Sequence, residues 1–391
     1  MDSPLPIYLD HHATTPVDPR VVEAMAPFWN SQFGNAASFQ HEYGRRAARH
    51  IEEATGQIAR LLNADPGRLI FTSGATESNN LAIKGLLEST LQRNRSGSSP
   101  HVITSRVEHR AVLDPLRKLE RRGVEVTWLP VDSTGLIDLE ELADTLRPET
   151  AMVSIIWANN EVGSIHPLRE IAHLCQEHQV PLHTDAVQAV GRIPVDLEQT
   201  PVNLLSASAH KLYGPQGIGC LYVNPDEERS FRLEPQIDGG GHQRGLRSGT
   251  LPLALIVGFG AACELARKEM EEEQPRLRQL RDEFAAMLRQ GIPDLIINGD
   301  QRNRLAGNLN VSIPHVDGDA LMSQLTEIAV SSGSACTSTN PEPSHVLRAM
   351  GIDDSLCRAS LRFGLGRSTI QEQLNLAAQH VIKVVTCLHA S

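Results

Sequence analysis

The sequence has 391 residues, 40% hydrophobic and 21% charged, with 36 Lys plus Arg against 47 Asp plus Glu and a formal net charge of −11. That length exceeds one ordinary hydrophobic core, and the acidic balance argues against broad binding to nucleic acid or anionic membranes. No run approaches the roughly 18 apolar residues of a membrane span, the opening "MDSPLPIYLD" lacks the basic and apolar regions of a signal peptide, and cysteines 175, 220, 263, 336, 357 and 387 form no CxxC pair. The expectation is a reduced, cytoplasmic chain with no disulfide framework and no zinc site.

In chain order, "RAARHIEEATGQIARLL" sets Ala47, Ile51, Ala54, Ile58 and Leu61 on one face at helical spacing. "RLIFT" is a short apolar run ending in "SGATESNN", where a helix should begin. The polar "STLQRNRSGSSPH" reads as a surface loop. "HVITS", "VEVTWLP", "AMVSIIWANN", "PLHTDAVQ", "NLLSASAH" and "GIGCLYV" are short, apolar and β-branched, with helical stretches between them. That alternation predicts a mainly parallel α/β sheet covered on both faces. Near residue 266 the pattern changes to the long, charged "RKEMEEEQPRLRQLRDEFAAMLRQG", with Leu277, Leu280, Phe284 and Leu288 in helical register. "NLNVSIP", "VSSGSACTSTNPEPS" and "ASLRFGLGR" follow, so a smaller C-terminal domain is expected from about 266.

Polar residues end these runs: Thr72, Glu108 and His109, Asn159 and Asn160, Asp185, His210 and Lys211. Open parallel sheets bind ligands outside the carboxyl ends of their strands, so these positions outline a site. In "TSGATESNN", Gly74 frees the backbone, and Ser73 and Thr76 offer hydroxyls beside free helix N–H groups. The stretch can hold a phosphate, or be an ordinary cap with Glu77 in the first turn. Asp185 can cap the next helix or hold a proton on a heterocyclic nitrogen, and Gln188 can reach the same ring or lie exposed. Lys211 in "SASAHKLYGPQG" can be a solvated charge or a partly desolvated amine nucleophile. Ser208 and His210 stand within reach of a phosphate in the second case.

"YLDHHATTP", "TSGATESNNLAIKG", "EHRAVLDP", "ANNEVG", "HTDAVQAVG", "SASAHKLYGPQGIG", "GGGHQRGLRSGT", "SSGSACTS" and "LRFGLGR" occur in this order over nearly the whole chain. Together they resemble the cysteine desulfurase family, most closely its NifS/IscS-like subgroup. The resemblance implies the pyridoxal-phosphate-dependent transferase fold, type I: a large domain with a mainly parallel seven-stranded sheet between helices, and a smaller α/β C-terminal domain. Residues 16–265 would form the large domain. Residues 1–15 and 266–391 would form the small one, with the cysteine loop at about 331–345. The implied reaction takes sulfur from L-cysteine, releases L-alanine and leaves a persulfide on an enzyme cysteine. Lys211 would hold pyridoxal 5′-phosphate covalently and move protons once freed. Asp185 would keep the ring nitrogen protonated, His109 would stack on the ring and take part in proton transfer, and Gln188 would bond the phenolic oxygen. Ala75, Thr76, Ser208 and His210 would hold the phosphate. Thr250 would reach the phosphate of the other subunit's site, which implies a homodimer.

Cys336 differs from the other cysteines because "SSGSACTSTNPEPS" is small and polar, a poor place to bury a thiol. A sulfur carrier needs such an exposed thiol, attacking as thiolate. No metal is expected, beyond an iron–sulfur cluster held by Cys336 transiently during transfer. Arg362 matches the family's carboxylate-binding arginine, and Asn160 would make a second contact to the carboxylate or the ring oxygen. The sequence departs from the pattern at Ala36, where proline is usual, and at His11 and His12, where the family varies and no role is implied. Housekeeping bacterial members often carry a longer tail that docks the iron–sulfur scaffold, whereas this sequence stops at Ser391. The acceptor, such as an iron–sulfur scaffold protein, is therefore unnamed. Competing readings are a selenocysteine lyase or related class-V aminotransferase on the same cofactor frame, and a non-catalytic sulfur-relay protein.

Overall fold

The apolar runs become strands in a computed structural model that describes residues 5–93, 98–225, 231–332 and 342–390. After β1 (Ile7–Tyr8) come β2 (Leu69–Thr72), β3 (His101–Ser105), β4 (Glu125–Leu129), β5 (Thr150–Ser154), β6 (Leu182–Asp185), β7 (Leu204–Ser208) and β8 (Gly219–Val223). The last seven form one sheet in the order β2-β8-β7-β6-β5-β3-β4. Only β8 runs against the rest, paired antiparallel to β7 and β2. A parallel return needs a crossover of a dozen or more residues, and the ten-residue link from Ala209 to Ile218 is too short for one. That same link carries His210 and Lys211.

Helices α1 (Pro19–Met25), α2 (Glu42–Leu62), α3 (Ala75–Arg93), α4 (Arg110–Glu120), α5 (Leu139–Thr145) and α6 (Leu168–Glu177) accompany the sheet. The strands alternate sides as their two-residue period requires. Leu69, Phe71, Ile103, Leu205, Ala207, Cys220 and Tyr222 pack with α2 and α6. Ile70, Val102, Leu204, Leu221 and Val223 pack with α3 and α4 on the opposite face. The run expected as a loop from Ser89 is helical through Arg93, because Leu91 still packs against this second core.

α7 (Leu253–Gly291) begins well before the charged stretch that marks it in the sequence. Its first half buries Ile256, Phe259, Ala262, Cys263 and Ala266 in the large core. Its second half buries Leu277, Phe284 and Leu288 in another core. That core is completed by β9 (Ile296–Asn298), β10 (Asn308–Ser312), α8 (Gly318–Gln324), β11 (Ile328–Ala329), β12 (Ser360–Gly364) and α11 (Gln371–His389). Two short helices, α9 (His345–Ala349) and α10 (Asp354–Arg358), precede β12. β12, β10 and β9 form an antiparallel sheet, and Phe363 of β12 meets Phe284 of α7 edge to face at 4.9 Å. Leu9 belongs to this core, and β1 pairs parallel with β11, so the N-terminal segment crosses between the two.

Candidate active site

β2, β3, β5, β6 and β7 all end at one edge of the large sheet, where a cavity of about 620 Å³ opens. Its wall brings together Ala75, Thr76, His109, Asn160, Asp185, Gln188, Ser208, His210, Lys211 and Arg362, which lie far apart in sequence. Thr250 is exposed and does not line this protomer's cavity. Cys336 lies outside the described residues.

One end of the cavity is rich in hydrogen-bond donors. α3 starts there, and the first N–H groups of a helix have no partner within it. Gly74 precedes it at φ +152°, a conformation that favours glycine. Gly219 permits the close approach of three segments: a Cβ there would stand 2.5 Å from the Ala207 carbonyl oxygen and 2.8 Å from Gly74 Cα. Ser208, ending β7, is thereby brought beside the start of α3. Neither Ser73 nor Thr76 caps this helix through its hydroxyl. Instead Glu77 reaches back to accept from the Ser73 N–H (2.7 Å), and Arg247 pairs with it at 2.9 Å. His210 presents Nδ1 to Thr14 Oγ1 at 3.0 Å. Burial, aided by Lys211 and Arg192, pushes its pKa down to about 4. At neutral pH it is an uncharged hydrogen-bonding group.

The sheet's middle supplies a buried carboxylate. Asp185 accepts from Asn79 Nδ2 (2.7 Å) and from the Val187 N–H (3.1 Å). Two residues earlier, His183 bridges Ser154 Oγ (2.8 Å) and Ser206 Oγ (3.2 Å) across three strands. Burial pushes its pKa down to about 3, so it stays neutral. His109 caps α4, with Nδ1 accepting from the Ala111 N–H at 3.1 Å. A neutral ring so held carries its proton on Nε2. Burial lowers its pKa, Asp185 raises it and Lys211 lowers it. Lys211 donates from Nζ to the carbonyls of His12 (2.7 Å) and Ala13 (2.6 Å).

Several functional positions escape a reading of residue types. Asp10, His12, Ala13 and Thr14 line the cavity from the N-terminal segment. Gln188 Nε2 donates to the His12 carbonyl at 3.0 Å. Arg192 donates to His12 Nδ1 (2.6 Å) and to the carbonyls of His11 (2.7 Å) and Lys211 (3.0 Å), fixing the lysine's backbone. Beneath His109, Glu108 is fully buried. It accepts from Ser105 Oγ (2.6 Å) and the Ile156 N–H (2.9 Å), and burial pushes its pKa up to about 8. The nine-residue "YLDHHATTP" is the one available signal for the first group. Glu108 is itself one of the polar strand ends, though nothing in the sequence marks its burial, and Asn79 carries no signal beyond lying in the "TSGATESNN" stretch.

These residues fit pyridoxal phosphate. The donor-rich end suits its dianionic phosphate, the buried carboxylate suits a protonated ring nitrogen, and a lysine shares the same cavity. Among the described residues, no group of three or more His, Cys, Asp or Glu is placed to hold a metal. No helix among them is long and apolar enough to cross a membrane.

The model of the aminotransferase class-V family matches residues 7–375. The cysteine desulfurase IscS of Neisseria meningitidis is 50% identical over 374 residues, covering 96% of this chain and 91% of the relative. The mitochondrial cysteine desulfurase of Arabidopsis thaliana is 48% identical over 380 residues, covering 97% and 82%. A solved NifS-like protein superposes with a TM-score of 0.89 at 34% identity, covering 98% of this chain and all of that one. The chain belongs to the aminotransferase class-V family and, within it, to the cysteine desulfurases.

Proposed function

We infer that this protein is a pyridoxal-phosphate-dependent cysteine desulfurase, which converts L-cysteine to L-alanine and passes the sulfur to an acceptor. The observation that carries the site assignment is the meeting of Lys211, Asp185 and His109 in one cavity at the carboxyl edge of the sheet. Bound pyridoxal phosphate supplies an electron sink for the bonds at the substrate's α and β carbons. Asp185, kept in place by Asn79, holds the proton on the ring nitrogen. The start of α3 at Ala75 and Thr76, with Ser208 and His210, holds the phosphate. Gln188 orients the phenolic oxygen. Lys211 would hold the cofactor, and its amine would carry protons to and from the substrate carbon. His109 would stack on the ring and serve as a second proton carrier, since its Nε2 takes no part in the helix-capping bond. Arg362 and Asn160 receive the substrate carboxylate.

Cys336 is the sulfur carrier in this reading. Its thiolate forms an S–S bond with the substrate sulfur while the substrate's C–S bond breaks. That electron pair ends on carbon, which takes a proton to become L-alanine, and the enzyme keeps a persulfide. The chemistry needs a reduced thiol, which favours a cytoplasmic setting. The division into domains 16–265 and 1–15 with 266–391 belongs to the same reading. It is supported by the change of core along α7. The exposed position of Thr250 supports a homodimer in which that residue serves the partner's phosphate. The sulfur acceptor is a protein such as an iron–sulfur scaffold.

Alanine release from L-cysteine with a reductant tests this. The protein is expected to turn over, Lys211→Ala to be inactive, and Cys336→Ala to bind L-cysteine without forming a persulfide. Normal alanine production by Lys211→Ala refutes the mechanism. Persulfide persisting in Cys336→Ala transfers the carrier role to another cysteine.

A further inference from the structure

The guanidinium that would receive the substrate carboxylate already has a carboxylate of this chain on it. Arg362 is nearly buried on β12. Its Nη2 donates to Asp10 Oδ1 (2.8 Å) and Ser331 Oγ (3.0 Å), and its Nη1 donates to the Asn160 carbonyl (3.1 Å). Ser331 Oγ in turn donates to Asp10 Oδ2 at 2.8 Å. Arg362 Nε is buried with no hydrogen-bond partner. Asp10 is set in place by its backbone: its carbonyl accepts from the Ala13 N–H (2.9 Å) and the Tyr8 hydroxyl (3.1 Å), and it bridges to Gly364, the last residue of Arg362's own strand. Asp10, Ser331 and Arg362 all face the cavity.

We propose that Asp10 is a specificity-determining residue: an internal carboxylate that shares Arg362 with the amino-acid carboxylate and holds amino-acid affinity down. The proposal rests on the reading of Arg362 as the carboxylate site. A guanidinium has five donors, and here three of its bonds are already spent on this chain's own groups. An arriving carboxylate meets one positive and one negative charge at close range, where the field of an unpaired Arg362 would be wholly attractive. Repulsion between the two carboxylates offsets much of the gain. The consequence is a site that recognises a carboxylate by geometry yet releases L-alanine readily.

The test titrates holoenzyme with L-alanine and with L-alaninamide, which has the same shape without the negative charge, following cofactor absorbance and heat of binding. Asp10→Asn is expected to bind L-alanine about tenfold or more tighter, the scale of one close charge interaction, and L-alaninamide within about twofold of the parent. Its KM for L-cysteine should fall more than its kcat. Unchanged or weakened L-alanine binding, or an equal change for both ligands, overturns the proposal. Asp10→Ser serves the same comparison if the Asn variant does not fold. The unaltered protein gives an independent reading, with an expected preference for L-alanine over L-alaninamide below about a hundredfold; a larger one shows an uncompensated Arg362 and overturns it. Arg362→Ala separates the two levels. If that variant binds L-alanine as the parent does, the carboxylate reading of Arg362 fails, and Asp10 falls with it.

Discussion

Asn79→Ala probes the support beneath Asp185 without touching the cavity lining. Asn79 is fully buried on α3 and donates Nδ2 to Asp185 Oδ2 at 2.7 Å. Asp185 itself is only 4% exposed although it borders the cavity, so water replaces the lost donor only in part. A hydrogen bond to a charged group contributes about 1.5–3 kcal/mol, and a buried carboxylate left short of a partner adds part of its desolvation penalty. Removal of Asn79 Oδ1, itself buried without a partner, offsets part of this, so the variant should lose about 1–3 kcal/mol of stability. It should also hold pyridoxal phosphate more weakly, because the carboxylate then has only the Val187 N–H to aim it. Urea unfolding followed by fluorescence gives the first quantity, and equilibrium dialysis of the cofactor gives the second. Ser89→Ala is the internal control. Ser89 is buried on the same helix, but its hydroxyl has no hydrogen-bond partner, so its loss should be neutral or mildly stabilising. If Asn79→Ala matches Ser89→Ala in both measurements, the support assigned to Asn79 does not exist.

Glu108 gives a pH prediction with a definite sign. In the folded protein its carboxyl keeps its proton up to about pH 8, whereas the unfolded chain releases it near the ordinary glutamate value. Between those limits the folded state binds more protons, so stability falls as pH rises, by at most about 1.4 kcal/mol per unit. Glu108→Gln keeps the acceptor for Ser105 and Ile156 and should reduce this slope between pH 5 and 8, measured by urea midpoints. Glu161, which accepts from Ser344 and is pushed up to about 7 by burial, contributes with the same sign, so the slope should shrink and not vanish. An unchanged slope would mean that Glu108 is ionised in the fold. Gly219→Ala places a Cβ against two backbone atoms that cannot rotate away, at 2.5 and 2.8 Å. It should cost about 1–3 kcal/mol and weaken phosphate-dependent cofactor binding, since α3's start and Ser208 must separate. Full cofactor affinity in that variant would show that the two can part without consequence.

The strands of the large sheet were legible because each is a short apolar, β-branched run, most of them closed by a polar residue, and a parallel sheet buried on both faces needs such runs. Lys211, Asp185 and His109 were legible as site candidates for the same reason: they stand where apolar runs stop. The start of α7 was not. "LALIVGFGAACELA" is apolar almost throughout because it threads the large core, so it shows no amphipathic stripe until the charged second half reaches the surface. The antiparallel direction of β8 was implicit in its ten-residue connection, which leaves no room for a crossover helix. Asn79 carries no mark of its own, since an asparagine on a helix is usually a surface residue and only the fold puts it under Asp185.

What sequence could least reveal is the work of the N-terminal segment, and the reason is physical. The Lys211 ammonium is held by the carbonyls of His12 and Ala13, groups that every residue possesses. Asp10 meets Arg362 across 352 residues, a pairing that exists only once both cores have formed. The segment is anchored at both ends: Leu9 lies in the small core, while Thr15 bonds the His210 carbonyl and the Tyr213 N–H in the large one. A shift of the second core against the large sheet would therefore strain the contacts that hold Lys211 and Arg362. Lys211 follows β7 of the large sheet, whereas Arg362 sits on β12 beside the second core, so the segment ties together two side chains from different cores. A single crossing segment, residues 10–13, contacts both side chains, and so couples the position of one to that of the other.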